Sequence, residues 1–208
     1  DEALGRDAAR VFQLLTSLGQ VKALSKMLQS PFTLHKKVIE KIKREAANAR
    51  AGKAARIIVK CNALIEPETI EALYQASQDG VRIDCIIRGV CCLRPGVPGV
   101  SDNIHVRSIV GRFLEHTRVF YFHNEGDFDL YLSSADWMGR NFFQRVETAF
   151  PVADRKIRQR ILKDGLELYL ADNIDAWVLH KDGEYKRRVP VGKQRPHSAQ
   201  SSLMSRKP

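Results

Sequence analysis

Two short β-branched runs separated by one amphipathic stretch do most to limit what this chain can fold into. Arg56-Ile57-Ile58-Val59-Lys60 and Val81 to Ile87 read as buried strands. Between them, Glu66 to Gln78 sets Ile70, Leu73, Tyr74 and Ser77 in helical register. Strand, helix and strand in that order predict a βαβ unit and place the chain among α/β folds.

The flanking sequence extends that unit. Ile104 to Val110, Thr117 to Phe122, Asp129 to Ser133 and Arg145 to Phe150 read as further strands. His123-Asn124-Glu125-Gly126-Asp127 joins two of them as an antiparallel hairpin, so the expected sheet is mixed and flanked by helices. Upstream, Ser30-Pro31-Phe32-Thr33 opens a helix with Val38, Ile39, Ile42, Ala46 and Ala49 on one face, and Gly52 stops it. Asp154 to Leu170 reads as a closing helix. A first helix, Ala8 to Leu18, is expected to start without a cap, which marks residues 1–29 as a linker helix or the end of a preceding domain. Residues 30–192 form the main domain, and 193–208 are expected to be a basic, disordered tail, because Ser201-Ser202-Leu203-Met204-Ser205 has little with which to pack.

Composition narrows the chemistry. At 208 residues and 44% hydrophobic the chain can bury one sizeable core. No stretch approaches the roughly 20 apolar residues needed to span a bilayer, which points to a cytoplasmic protein. Cys61, Cys85, Cys91 and Cys92 lack zinc-site spacing, and reduced thiols are expected. The net charge of +10 suggests a polyanionic partner, but its distribution is uneven. From Lys181 to Pro208 there are eight Lys/Arg against Asp182 and Glu184, so the tail holds more than half of the surplus.

Polar residues recur at strand ends. Lys60 and Asn62 close the first strand and suit either a phosphate clamp or a solvated strand end. Arg88 follows the next strand directly and precedes Gly89, which lets a ligand approach the backbone. After it, Arg94-Pro95-Gly96-Val97-Pro98-Gly99 forms a loop of the kind in which α/β proteins place ligand sites. His116 enters the hairpin and Ser133-Ser134-Ala135-Asp136 leaves it, so the hairpin register decides whether they meet. An imidazole beside hydroxyls and a carboxylate can attack phosphorus, protonate a leaving oxygen, or bind phosphate as imidazolium. Arg140 and Arg145 are read either as a wider cationic wall or as salt-bridged surface residues. His35, His105, His123, His180 and His197 lack such company and receive no role.

Several long phrases occur in an order that resembles the long-chain polyphosphate kinase family. They are Ile87-Arg88-Gly89-Val90-Cys91-Cys92-Leu93-Arg94-Pro95-Gly96, Ser101-Asp102-Asn103-Ile104, Ser108-Ile109-Val110-Gly111-Arg112-Phe113-Leu114-Glu115-His116-Thr117-Arg118, and Leu132-Ser133-Ser134-Ala135-Asp136-Trp137-Met138 with Arg140-Asn141. The likeness runs from about Ser30 to about Val191. It implies the second, C-terminal catalytic domain of a phospholipase D-like pair of α/β domains. It further implies reversible transfer of the terminal phosphate of ATP to polyphosphate, with magnesium and through a phosphohistidine in an upstream domain. The isolated fragment is then expected to be inactive, and the full-length enzyme to be a homo-oligomer that binds ATP or ADP and polyphosphate, not nucleic acid. Peripheral membrane association stays open for that enzyme.

By the same likeness, Arg88 matches a nucleotide-contacting arginine, His116 the second histidine, and Arg145 an arginine of the phosphate tunnel. Lys60, Asn62, Ser134 and Asp136 are candidate phosphate-site residues by placement, and no metal ligand is assigned. The chain departs from the wider superfamily pattern: Arg118 stands at the lysine of H-x-K, the spacing to Ser133-Ser134 is longer, and Asp136 replaces an asparagine. Two other readings compete. A homodimeric phosphodiesterase or nuclease would cleave its substrate without ATP, and a non-catalytic module would bind polyanions through the tail with steep salt dependence.

Overall fold

The computed structural model describes residues 1–16 and 23–205. Helix α1 (Glu2–Leu15) does have a cap: the Asp1 carboxylate accepts from Ala3 N at 3.0 Å and Leu4 N at 3.3 Å. Leu18, expected at its end, lies outside the described residues. The buried Asp7 carboxylate accepts from the backbone N–H groups of Ser25, Lys26 and Met27, which ties α1 to the segment leading into β1 (Leu28–Gln29). Helix α2 (Leu34–Arg50) follows, and Gly52 just beyond it takes the positive φ that ends it.

The expected βαβ unit is present as β2 (Arg56–Cys61), α3 (Pro67–Gln78) and β3 (Arg82–Ile87), with β2 and β3 parallel. The Glu66 carboxylate caps α3 through Glu68 N and Thr69 N. Strand β4 (Ile104–Ile109) pairs parallel with β3, and β5 (Val119–Phe122) and β6 (Asp129–Ser133) form the antiparallel hairpin around a single tight turn at Asn124–Gly126. After α4 (Gly139–Phe143) comes β7 (Thr148–Pro151). Two expected strands therefore begin later than their sequences suggest, leaving Thr117, Arg118 and Arg145 outside the ladder.

Helices α5 (Arg155–Ile161) and α6 (Leu168–Ala171) are joined by a π-helical stretch, Leu162–Glu167, so the closing helix is nearly continuous. Strands β8 (Ala176–Leu179) and β9 (Tyr185–Arg187), not anticipated from the sequence, add an antiparallel edge. The sheet order is β1-β7-β6-β5-β2-β3-β4-β8-β9.

Strand alternation sorts the core into two layers. Ile57, Val59, Cys61, Ile83, Cys85, Ile87, Phe120 and Phe122 pack with the apolar stripes of α2 and α3. Ile58, Ile86, Val119 and Tyr121 pack on the other face with Leu166 and Tyr169. That second layer also receives the C-terminal helix α7 (Ala199–Met204), which corrects the expectation of a disordered tail. Ala199 is buried, Leu203 packs beside it, and buried Asp172 accepts from Ala199 N at 2.7 Å. Asn173 pins the approach through His197 N and the Arg195 carbonyl. Polar tethers and this small apolar contact together order the segment. Among the described residues no helix is long and apolar enough to cross a membrane.

Candidate functional site

Topology gathers the site at one end of the central strands. Strands β2, β3 and β4 run parallel and deliver Asn62, Arg88 and the loop 110–118 to the same end. Strand β5 runs back from that end, β6 returns to it, and β7 leaves it. The hairpin register pairs Val119 with Leu132, and Ser133 N donates to the Arg118 carbonyl at 3.1 Å. His116 and the Ser133-Ser134-Ala135-Asp136 turn thus come to one neighbourhood.

The crossing from β3 is held tightly. Gly89 N donates to the Asn62 carbonyl at 2.9 Å, and a Cβ on Gly89 would sit 2.9 Å from that same oxygen, so only glycine fits without displacement. Ser108 Oγ donates to the Arg88 carbonyl at 2.9 Å, and Arg88 Nε donates to Asn62 Oδ1 at 2.9 Å. Asn62 therefore aims the guanidinium. Among the described residues neither Nη of Arg88 has a hydrogen-bond or ion-pair partner, which leaves the fork for a ligand.

Asp136 organises the neighbouring wall. Its carboxylate accepts from Asn62 N at 2.7 Å and from Arg118 Nε and Nη2 at 2.9 and 3.0 Å, and Arg118 Nη1 reaches the His116 carbonyl at 3.1 Å. The hydrogen bonds that Arg118 donates to Asp136 raise its pKa above the ordinary arginine value. Asp136 thus orients Arg118. Ser134 Oγ donates to Glu147 Oε2, and Asn141 Nδ2 donates to Glu147 Oε1 at 2.6 Å.

These residues open onto one cavity of about 420 Å³, lined by Arg88, His116, Arg118, Arg140 and Arg145 together with Asn62, Ser134, Asp136 and Glu147. Four arginines and one histidine face two carboxylates that are already engaged. The local field is positive, and a group with several anionic oxygens is the ligand class that satisfies it.

Of the sequence candidates, Asn62, Arg88, His116, Ser134, Asp136 and Arg145 meet here, although Arg145 arrives from the turn before β7. Lys60 does not line this cavity. Its side chain is only 7% exposed, its Nζ donates to Glu115 Oε2 at 2.8 Å, and it lies 3.1 Å from the centroid of the Tyr169 ring. Burial pulls its pKa below the ordinary lysine value, with Glu115 opposing. The Pro/Gly loop also misses the site: it closes on itself through Ser101 Oγ, which donates to the Arg94 carbonyl and accepts from Val97 N. Sequence reading left Arg118 without a role and missed Glu147. The alternation in His116-Thr117-Arg118 was a usable signal for the first; Glu147 carries none.

Comparison with known proteins identifies the family. The model of the polyphosphate kinase C-terminal domain 2 matches residues 27–200. Polyphosphate kinase of Pseudomonas aeruginosa is 55% identical over 206 residues, covering 99% of this chain and 30% of the relative, and that of Burkholderia lata is 57% identical over 188 residues, covering 90% and 27%. The crystal structure of polyphosphate kinase from Porphyromonas gingivalis superposes with a TM-score of 0.93 at 35% identity, covering 98% of this chain and 31% of that one. The nuclease Nuc of Salmonella typhimurium, a phospholipase D family member, shares the fold at 15% identity and a TM-score of 0.51, covering 78% and 97%. The chain spans less than a third of the polyphosphate kinases it matches. It belongs to the polyphosphate kinase C-terminal domain 2 family.

Proposed function

We propose that this domain forms one wall of an ATP/polyphosphate site, and that the full-length protein reversibly transfers the terminal phosphate of ATP to polyphosphate through a phosphohistidine in its upstream region. The observation that carries this reading is the convergence of Arg88, His116, Arg118, Arg140 and Arg145 on one cavity with no unengaged carboxylate. A triphosphate and a polyphosphate end repel each other, and in-line transfer requires that repulsion to be neutralised. Arg88 supplies a fork for two phosphate oxygens, and Arg145 extends the positive wall. His116, as imidazolium, stabilises or protonates the oxygen that leaves ATP as the upstream histidine takes the phosphoryl group. Electrostatic positioning is this domain's contribution.

Among the described residues no cluster of three acidic, cysteine or histidine side chains offers a metal cage, and Asp136 and Glu147 are committed to neighbours. Magnesium in this reading enters as part of Mg-ATP, as substrate. A cytoplasmic, homo-oligomeric full-length enzyme accompanies the proposal. The competing nuclease reading is weakened by Arg118, which stands where that superfamily keeps a lysine and is held in a two-pronged pair with Asp136.

Calorimetric titration of this chain with long-chain polyphosphate and with Mg-ATP tests the site. Arg88→Ala and His116→Ala should each weaken binding roughly tenfold, as loss of a charge-assisted contact does. Unchanged affinity in both variants would remove the cavity from consideration. Rejoining the upstream region should restore phosphoryl transfer.

A further inference from the structure

The mechanism above gives no work to the network beneath the loop that carries His116. That loop, residues 110–118, has no regular structure, and its apolar members Val110, Phe113 and Leu114 are exposed, so packing does not hold it. Polar contacts from α7 do. Gln200, only 5% exposed, accepts from Phe113 N at 3.0 Å through Oε1 and donates through Nε2 to the Phe113 carbonyl at 3.0 Å. The same Nε2 donates to Glu115 Oε1 at 2.7 Å. Glu115 also receives Tyr169 Oη and Lys60 Nζ, each at 2.8 Å. His116 is the next residue, and its carbonyl is held from the other side by Arg118.

We propose that Gln200 is a positioning residue for His116: its amide reads the backbone of Phe113 as a paired strand would and locks Glu115, so α7 fixes the histidine loop against the strand ends. The role of His116 itself rests on the proposed function. Two features argue that this is more than incidental surface bonding. The amide satisfies a backbone donor and acceptor at one residue and a carboxylate at another, with all three bonds between 2.7 and 3.0 Å. Gly111 lies directly against it, and a Cβ there would collide with the Gln200 amide, so the loop is fitted to this side chain.

The test measures amide hydrogen exchange and polyphosphate binding in wild type, Gln200→Ala, Gly111→Ala, His116→Ala and the Gln200→Ala/His116→Ala double variant. In Gln200→Ala and Gly111→Ala, Phe113 N–H should lose protection while amides of β2 and β3 keep theirs. Polyphosphate affinity should fall roughly three- to tenfold in Gln200→Ala, with the double variant no weaker than His116→Ala alone, because one residue acts through the other. Full protection of Phe113 in Gln200→Ala, or additive losses in the double variant, would overturn the proposal. If His116→Ala binds like wild type, the role assigned to His116 in the proposed function fails, and the positioning of the loop is then decided by exchange alone.

Discussion

Two cationic regions sit side by side at the same end of the central strands and behave in opposite ways. Lys60 is walled in by Glu115 and Tyr169, its charge matched within the fold. Arg88, 28 residues further along the sequence but adjacent across the β2–β3 ladder, is held in its side chain only at Nε and presents its fork to an open cavity. Both look alike in the sequence: a basic residue at the end of an apolar strand. The difference teaches that a cation stays available to a ligand when its partners are arranged to aim it without neutralising it. Asn62 does the first for Arg88, whereas Glu115 does the second for Lys60.

This contrast breaks most easily at Lys60. Lys60→Met leaves Glu115 with two neutral donors and no counter-charge, and should lower the free energy of unfolding by about 3 kcal/mol, the lower end of the range for a broken buried pair because Glu115 is partly exposed. Arg88→Ala should stay within about 1 kcal/mol of wild type in the same urea titration and show its loss in polyphosphate binding. The reverse order would mean that the two regions have been assigned each other's roles.

A smaller effect sharpens the same comparison through pH. Burial alone would raise the Glu115 carboxyl, but hydrogen bonds and charge from Lys60, with Gln200 and Tyr169, hold it below the ordinary 4.5. The unfolded chain therefore takes up this proton first on acidification. The stability contributed by ionised Glu115 is complete above the ordinary value and is lost as pH falls through the depressed folded value. Urea midpoints of wild type and Glu115→Gln should differ most near neutrality and converge in that acid window. A gap that persists unchanged into strong acid would show that the ionised pair is not what Glu115 contributes.

The smallest effect concerns the charges beyond β8. Lys181 and Lys186 are exposed on the β8–β9 edge, and replacing both with Ala should weaken polyphosphate binding only about twofold, with the loss shrinking as salt rises. A loss exceeding that of Arg88→Ala would move the principal binding surface from the cavity to this edge.

Much of the frame was legible without coordinates. The β2–α3–β3 unit, the β5–β6 hairpin and the amphipathic α2 followed from periodicity and turn residues, since those signals are written within a dozen neighbouring positions. Arg88, Asn62 and His116 were legible as strand-end polar residues that the sheet then collected. Strand β8 was missed because four apolar residues are too short a run to show a period, and β9 because its basic, exposed residues carry no apolar alternation.

What the sequence by itself determined is the set of local elements and the family wording they carry, because strand, helix and turn preferences depend on near neighbours. Only the tertiary structure decided which charges are free. Lys60 meets its carboxylate 55 residues away, Arg118 its own at 18, and Gln200 reaches Glu115 across 85. Partners at such separations leave no periodic trace, and hydrogen bonds of a few ångströms form only after the sheet has brought the segments together.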